Sequence, residues 1–424
     1  MRVAILAHGH PQLSPGGGEN AAYALYQALN GLDDVEASFW ASAPGLGDSA
    51  VEQMIDGQQG CEFLLAAGRD PLLFRSALDL TDRSPLKKAL SVWRPDVIHA
   101  HHFLGIGLDV FWALKRWFPD VPILFTLHEF LSLCPYQGQF LRLDGSLCDA
   151  PRLQGCASCM PDVLLRHLRI RDELFRYWVS LIDGFVSPSV QLAEVMGRSG
   201  LISTERMHVI DNVLPAYLRQ STVEACGSEA DIFCFGFFGN LSPIKGLDLV
   251  LKAVLLAREQ GMRVRLRVFG GFVGRARAHS KAAARYFTVV DALLEKLQDC
   301  VELVGPYQQE RIPELMASVA WVVMGSRWRE NSPVVIEEAL ACGRPLLVPN
   351  LGGMAEKVRD GLDGYHFQIG SSLALSELMI RCSSDQAAWY RLRCTMRSSC
   401  SGDRALLDHL DLYRSVLGAV IHAV

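Results

Sequence analysis

Twice along its length the chain runs through the same alternation: a short apolar stretch, a polar or glycine-containing loop, then a segment of helical periodicity. The first pass places apolar stretches at residues 2–7, 36–41, 96–101, 123–128, 184–187 and 207–211. Helical patterns such as 20–30, 85–93 and 107–117 lie between most of them. The second pass begins at 232–238 and continues through 263–269, 301–305, 319–324 and 345–349, with 247–260 as its first helix. Strands separated by whole helices do not close as hairpins, so each crossover returns the chain parallel to the strand before it. The expected fold class is α/β, with two doubly wound parallel sheets. A length of 424 residues, 50% hydrophobic and 21% charged, leaves room for two cores of that kind. Residues 214–231 are polar, without strong periodicity, and read as the linker between them.

The most informative of these units is 326–345, SRWRENSPVVIEEALACGRP. It follows the apolar run 319–324. Ser332 and Pro333 are expected to supply an N-cap and a first-turn proline, and Gly343 and Pro345 to stop the helix. Such a unit aims backbone N–H groups and the positive end of the helix dipole at the carboxyl edge of a sheet, where phosphate binds. Glu330 and Glu338 frame the helix start with seven residues between them. A carboxylate accepts paired hydrogen bonds from vicinal hydroxyls, so two of them beside a phosphate site describe a nucleotide-sugar site.

Composition removes other classes. A net charge of −5 argues against a broad nucleic-acid surface. The start, MRVAILAHGH, reads as a first strand and not as a signal peptide, and no apolar run is long enough to span a bilayer. The expected location is cytoplasmic, and the 12 cysteines are expected as thiols or metal ligands. The glycine loop 16–19 is GGGE and not G-x-G-x-x-G, so a dinucleotide cofactor is not indicated.

The decapeptide 330–339, ENSPVVIEEA, resembles the E-x7-E signature of the retaining glycosyltransferases of family four, which have the GT-B fold. Other segments resemble the same family in order. Residues 16–19 are similar to its G-G-x-E loop, and 126–129 (TLHE) to its T-L-H-[DE] segment. Residues 239–246 (GNLSPIKG) are similar to its G-R-L-x-x-x-K-G loop, and 351–356 to the glycine turn behind its site. The segment 304–307 is similar to the stretch whose backbone reads the nucleotide base.

The resemblance implies two Rossmann-like domains facing a cleft. Residues 1–215 would form the acceptor side with a cysteine-rich insert at 130–162. Residues 228–400 would hold the nucleotide sugar, and a helix at 401–424 would pack back on the first domain. It implies transfer of a sugar from a UDP-, GDP- or dTDP-sugar to a glycan, lipid-linked or small-molecule acceptor, with retention of configuration. The cellular setting implied is polysaccharide or glycolipid assembly, with contact at the inner face of the membrane and no nucleic acid.

Residue by residue, Glu338 would hold the ribose diol and Glu330 the hydroxyls of the donor sugar. Lys245 would meet the diphosphate together with the N–H groups around Asn331, Ser332, Pro333 and Val334. Gly305 would face the base, and His128, Gly17 and Gly18 the sugar and acceptor. The catalytic set is thus His128, Lys245 and Glu330. Asn240 stands where the family carries an arginine, which leaves Arg327 or Arg329 to complete the phosphate clamp. No Asp-x-Asp motif accompanies these groups, so no catalytic cofactor is expected. The alternatives are a nucleotide-sugar epimerase or hydrolase of the same fold, and a non-catalytic nucleotide-sugar-binding protein.

Four cysteines, Cys134, Cys148, Cys156 and Cys159, fall in one window of low periodicity. Their spacing admits either a structural zinc or free and redox-active thiols. The basic and aromatic stretch 166–178 reads as a solvated face, with an anionic or lipid-linked acceptor surface as the alternative. The basic stretch 275–285 also reads as solvated helix. His99, His101 and His102 are expected to be structural. The tail 405–424 is amphipathic.

Overall fold

The alternation folds as two separate sheets. A computed structural model describes residues 1–14, 16–54, 61–149, 153–219, 231–273, 281–396 and 401–423. It divides into one unit of Met1–Ala216 with Cys400–Val424 and a second of Tyr217–Ser399.

The first unit holds eight strands. They are β1 (Arg2–Ala7), β2 (Glu36–Ala43), β3 (Val51–Gln53), β4 (Cys61–Ala66), β5 (Val97–Ala100), β6 (Ile123–Thr126), β7 (Gly184–Ser187) and β8 (Met207–Val209). Their order is β3-β4-β2-β1-β5-β6-β7-β8. All neighbours are parallel except β3 and β4. β1 is central, and its residues beyond Arg2 are buried on both faces, as a helix-covered parallel strand requires. The edge strands β3 and β4 were not legible as strands, because β3 is three residues long and carries Glu52 and Gln53. What holds β4 in place is the stacking of Phe63 on Trp40 of β2, at 3.9 Å between ring centroids.

The helix Ser401–Ala423 belongs to this unit. Its Ala405, Leu406, Leu410, Leu412 and Tyr413 share one core with Val3, Ile5 and Phe39. The stretch expected to be a solvated basic face lies in the helix Leu165–Ser180, and one side of it is core instead. Leu168, Arg171, Phe175 and Trp178 are all buried. Arg171 donates to the carbonyls of Leu131 and Ser132 and lies over the ring of Phe175, so its charge is used inside the protein. No helix among the described residues is long and apolar enough to cross a membrane.

The second unit holds β9 (Cys234–Phe238), β10 (Arg265–Phe269), β11 (Val301–Gly305), β12 (Trp321–Val323), β13 (Leu346–Pro349) and β14 (Gly364–Phe367). The order is β11-β10-β9-β12-β13-β14, all parallel. Residues 220–230 of the expected linker and 275–280 of the expected basic helix lie outside the described residues; from Lys281 the chain is helical to Lys296.

In each sheet the strand order reverses once, between β1 and β5 and between β9 and β12. A reversal leaves the two flanking crossovers on opposite faces and opens a crevice at the carboxyl ends of the two strands. That crevice is where each unit keeps its polar residues.

Candidate active site

At the reversal in the second unit, the loop after β9 and the loop after β12 lie side by side. Gly246 ends the first loop with φ +70°, a left-handed conformation that suits glycine. A side chain there would collide with the carbonyl of Gly325, so the two loops meet backbone to backbone. Arg327 stitches them together. Its N–H donates to the carbonyl of Ile244 at 2.9 Å. Its guanidinium donates to the carbonyl of Pro243 at 2.9 Å and to both oxygens of Asp248 at 2.8 Å. This fork-to-fork pair fixes the loop in two dimensions. Arg327 thus holds the two loops together through three of its guanidinium N–H groups.

The stitching brings Lys245 to Glu330. The ammonium lies 2.8 and 2.7 Å from the two carboxylate oxygens, and Ser326 donates its hydroxyl to the same group. Glu330 is 4% exposed. A carboxylate this buried needs partners of this kind, and the lysine and serine use about three of its four lone-pair positions. Glu330, expected to hold donor-sugar hydroxyls, is paired with Lys245 in the structure.

The helix follows as Val334–Ala341, one residue later than the sequence suggested. Pro333, not Ser332, is the cap residue, and no side chain caps the first turn. The N–H of Ile336 donates to the Pro333 carbonyl at 3.0 Å, and no side chain caps the N–H groups of Val334 and Val335, an arrangement that suits phosphate. Past it, Gly343 takes φ +65° and ends the helix.

Glu338, one turn into the helix, is 5% exposed, and its Oε1 accepts from the Tyr217 hydroxyl at 3.4 Å. Burial pushes its carboxyl up to about 7, against a smaller pull from that hydrogen bond. Asn331 is buried, Asn240 is exposed, and Gly305 turns the chain after β11 with φ +94°. Beneath Glu330 and Asn331 lies the turn that starts the helix Gly352–Lys357, where the N–H of Gly353 donates to the Glu330 carbonyl at 2.7 Å. A Cβ on Gly353 would overlap the carbonyl of Asn331. Gly353→Ala is expected to push the 330–331 backbone outward, costing about 1–3 kcal/mol or more. A melting curve and nucleotide titration check this, and both Tm and affinity should fall.

The reversal in the first unit is lined by histidines. His8 follows β1, His101 and His102 follow β5, and His128 and Glu129 follow β6. His101 Nδ1 and His128 Nε2 are 3.0 Å apart, His8 lies 3.0 Å from Glu19, and His102 lies 3.4 Å from Glu129. Gly18, in the first turn of the helix Gly17–Asn30, faces His8 and His128, and a Cβ there would lie 3.2 Å from the His8 ring. Desolvation holds His101 and His102 well below the usual range and His128 at about 3, so these rings are neutral hydrogen-bonding groups. Burial raises Glu129 to about 8, so it is a neutral acid at pH 7. Glu19 keeps its charge at this edge: burial raises its carboxyl, but the hydrogen bond to His8 and the field of that ring hold it below its ordinary range. His99 is structural, between the Tyr413 hydroxyl at 2.7 Å and Thr126 at 2.8 Å.

None of the four cysteines of the insert is joined in a disulfide. Burial raises Cys156 to about 11, and the fields of Cys134, Cys148 and Cys159 add to the effect, so the four are neighbours. Among the described residues, however, no three His, Cys, Asp or Glu side chains form a group that could hold a metal ion. As placed, the sulfurs do not build a tetrahedral site. Elemental analysis of purified protein decides between the two readings: about one zinc per chain is expected if the four thiols hold a structural metal, and well under one would leave them as thiols.

Residues 15–215 match the family described as Glycosyltransferase Family 4, and residues 232–385 the one described as Glycosyl transferases group 1. The chain is a family-four glycosyltransferase. Among curated proteins the chain is similar to D-inositol 3-phosphate glycosyltransferases. The protein of Nocardiopsis dassonvillei is 26% identical over 63% of this chain and 58% of its own length. That of Xylanimonas cellulosilytica is 25% identical over 75% and 71%. The match to the first spans less than two thirds of that protein. Among solved structures, Anabaena HepE in complex with UDP superposes with a TM-score of 0.65 at 18% identity, over 99% of this chain and 100% of that one. Sucrose-phosphate synthase from Thermosynechococcus elongatus gives 0.69 at 18% identity, over 99% of both. Likeness at that identity establishes the GT-B fold of the glycosyltransferase.

The sequence did not disclose Ser326 as a partner of Glu330, or the Arg327–Asp248 clamp. The signal was present for the second: an acid in the first turn of the helix after the lysine loop, and an arginine three residues before Glu330.

Proposed function

We propose that the enzyme moves a hexose from a nucleotide-sugar donor to a hydroxyl of a saccharide, lipid-linked or small-molecule acceptor, with retention at the anomeric carbon. The observation that carries this reading is the pairing of Lys245 with Glu330 at an uncapped helix start. A cation paired to the loop that leads into an uncapped helix start is suited to stabilise a departing diphosphate by fixed charge and dipole. Lys245 has three donors, so it can contact a phosphate oxygen while keeping Glu330. The remaining lone pair of Glu330 is available to a sugar hydroxyl. Glu338 would accept the ribose diol, and the backbone around Gly305 would face the base.

The neutral imidazoles of the first unit support a saccharide or other polyol as the second substrate. His128, with Nε2 engaged by His101, would meet a hydroxyl as a hydrogen-bonding group and not as a charge. The relatives named for inositol 3-phosphate support a polyol acceptor, and HepE with UDP supports a nucleoside diphosphate donor.

Thermal shifts with UDP-, GDP-, dTDP- and ADP-sugars test the donor, and NMR of the product tests the anomeric outcome. Stabilisation by one nucleotide class, followed by acceptor-dependent release of the diphosphate, is expected. Donor consumed without acceptor would point to an epimerase or hydrolase. Binding without turnover would point to a non-catalytic sugar-binding protein.

A further inference from the structure

We infer that Tyr217 is a positioning residue for the nucleotide: its hydroxyl, donated to Oε1 of Glu338, holds that carboxylate ready for the ribose diol. The inference rests on the reading that Glu338 takes the ribose, and it adds a residue that no motif contains. Tyr217 lies in the segment that the sequence presents only as linker.

The geometry is specific. The short helix Ala216–Arg219 carries Leu218 fully buried, which anchors the segment and keeps the Tyr217 ring in place. The hydroxyl then reaches Glu338 across 121 residues of sequence. It occupies Oε1, which leaves Oε2 to accept from the ribose hydroxyls. A diol needs an ionised carboxylate to receive two donated hydrogen bonds; the protonated acid is itself a donor and receives them poorly.

Burial works against ionisation of Glu338, and the phenol works for it. The other titratable groups that act on the pair are Tyr307, after β11, whose ionisation Glu338 opposes, and Glu310, which acts on Tyr217. Both phenols are pushed well above their ordinary range, chiefly by burial, so they remain donors. No cation stands among the causes that shift Glu338. The phenol is thus the group on this carboxylate that favours its charged form.

The sign follows. If the nucleotide selects ionised Glu338, affinity rises with pH through the carboxyl's range near 7 and levels off above it. Removing the hydroxyl removes the downward pull, so the midpoint moves up. A shift of about one unit leaves roughly a tenth of the carboxyl ionised at pH 7 instead of half, so affinity there falls about fivefold.

The test is calorimetric titration of UDP and ADP into wild type, Tyr217→Phe and Glu338→Gln, between about pH 6 and pH 9. Repeating it in two buffers of different ionisation enthalpy counts the protons released on binding. Tyr217→Phe keeps the ring, so packing is preserved. It is expected to bind several-fold more weakly at pH 7, to recover at pH 9, and to release more protons at pH 7 than wild type. Glu338→Gln is expected to bind weakly with no dependence on pH. An unchanged midpoint in Tyr217→Phe overturns the positioning role while leaving the ribose reading intact. Tighter binding by Tyr217→Phe at every pH also overturns it, because the hydroxyl would then compete with the ribose. Wild-type affinity in Glu338→Gln overturns the ribose reading itself.

Discussion

Lys245→Ala is expected to lower kcat/KM for glycosyl transfer by about 10²–10³-fold, the range found when one fixed charge-stabilising donor is removed from a water-poor site. The loss should appear mainly in kcat, because the ammonium is needed most when the diphosphate departs with its full charge. The same substitution has a structural consequence. It strips the principal partner from Glu330, which is 4% exposed. Breaking a buried ion pair from one side costs about 3–5 kcal/mol. The Lys245 side chain is 30% exposed, which reduces that figure to the order of 1–3 kcal/mol. Activity loss alone would therefore be ambiguous. The double variant Lys245→Ala/Glu330→Gln separates the two effects. A neutral amide needs no cation, and Ser326 can still donate to its oxygen, so Tm should return most of the way. Transfer should not return. Wild-type-like turnover in either variant would remove the lysine from the mechanism.

That pair also shows how much of the site could be read from the chain. Lys245 and Glu330 are 85 residues apart, yet each follows an apolar strand and precedes a helix. In a doubly wound sheet such positions collect at the carboxyl edge, so strand periodicity alone brought them to one side. Their adjacency depends on β9 and β12 being neighbours, which needs the strand order, and no local pattern encodes that. The direct contact was also hidden. Glu330 reads as a ligand-binding carboxylate, and only burial shows that it must first satisfy its own charge.

The cap moved by one residue for a similar reason. Ser332 has the right chemistry for an N-cap, but the helix begins at Val334, so the extended residue just before it is Pro333 (φ −62°, ψ 119°), and Ser332 stands one position too early to cap. In the stretch 166–178 the exposed Arg166, Arg169 and Arg176 do form a solvated face, and it is Arg171 that was not foreseen as core, because arginine is seldom fully buried. Two carbonyls and an aromatic face received it, and none of the three is visible in the sequence.

The first unit makes a stability prediction of comparable size, and its source is the last helix of the chain. Tyr413 is fully buried in a core built with Val3, Ile5, Val97 and Phe39, which are central strand residues. Its hydroxyl lies 2.7 Å from His99 Nδ1, and the other nitrogen of that ring bonds Thr126. Desolvation keeps His99 neutral, so the tyrosine completes a chain of neutral hydrogen bonds through the sheet interior.

Tyr413→Ala removes both contributions. The cavity is expected to cost about 3–5 kcal/mol. The orphaned His99 nitrogen adds about 1–3 kcal/mol. For a unit of this size the loss corresponds to a fall in Tm on the order of 10 °C. Tyr413→Phe keeps the volume and drops only the bond, so it should lose roughly the smaller of the two amounts. Hydrogen exchange localises the effect: amides of β1, β5 and β6 should exchange faster in Tyr413→Ala, while those of β9 and β12 should not. Equal losses in the two variants would mean that the hydrogen bond, and not the packed ring, secures the helix. A negligible loss in both would mean that the C-terminal helix contributes little to this core.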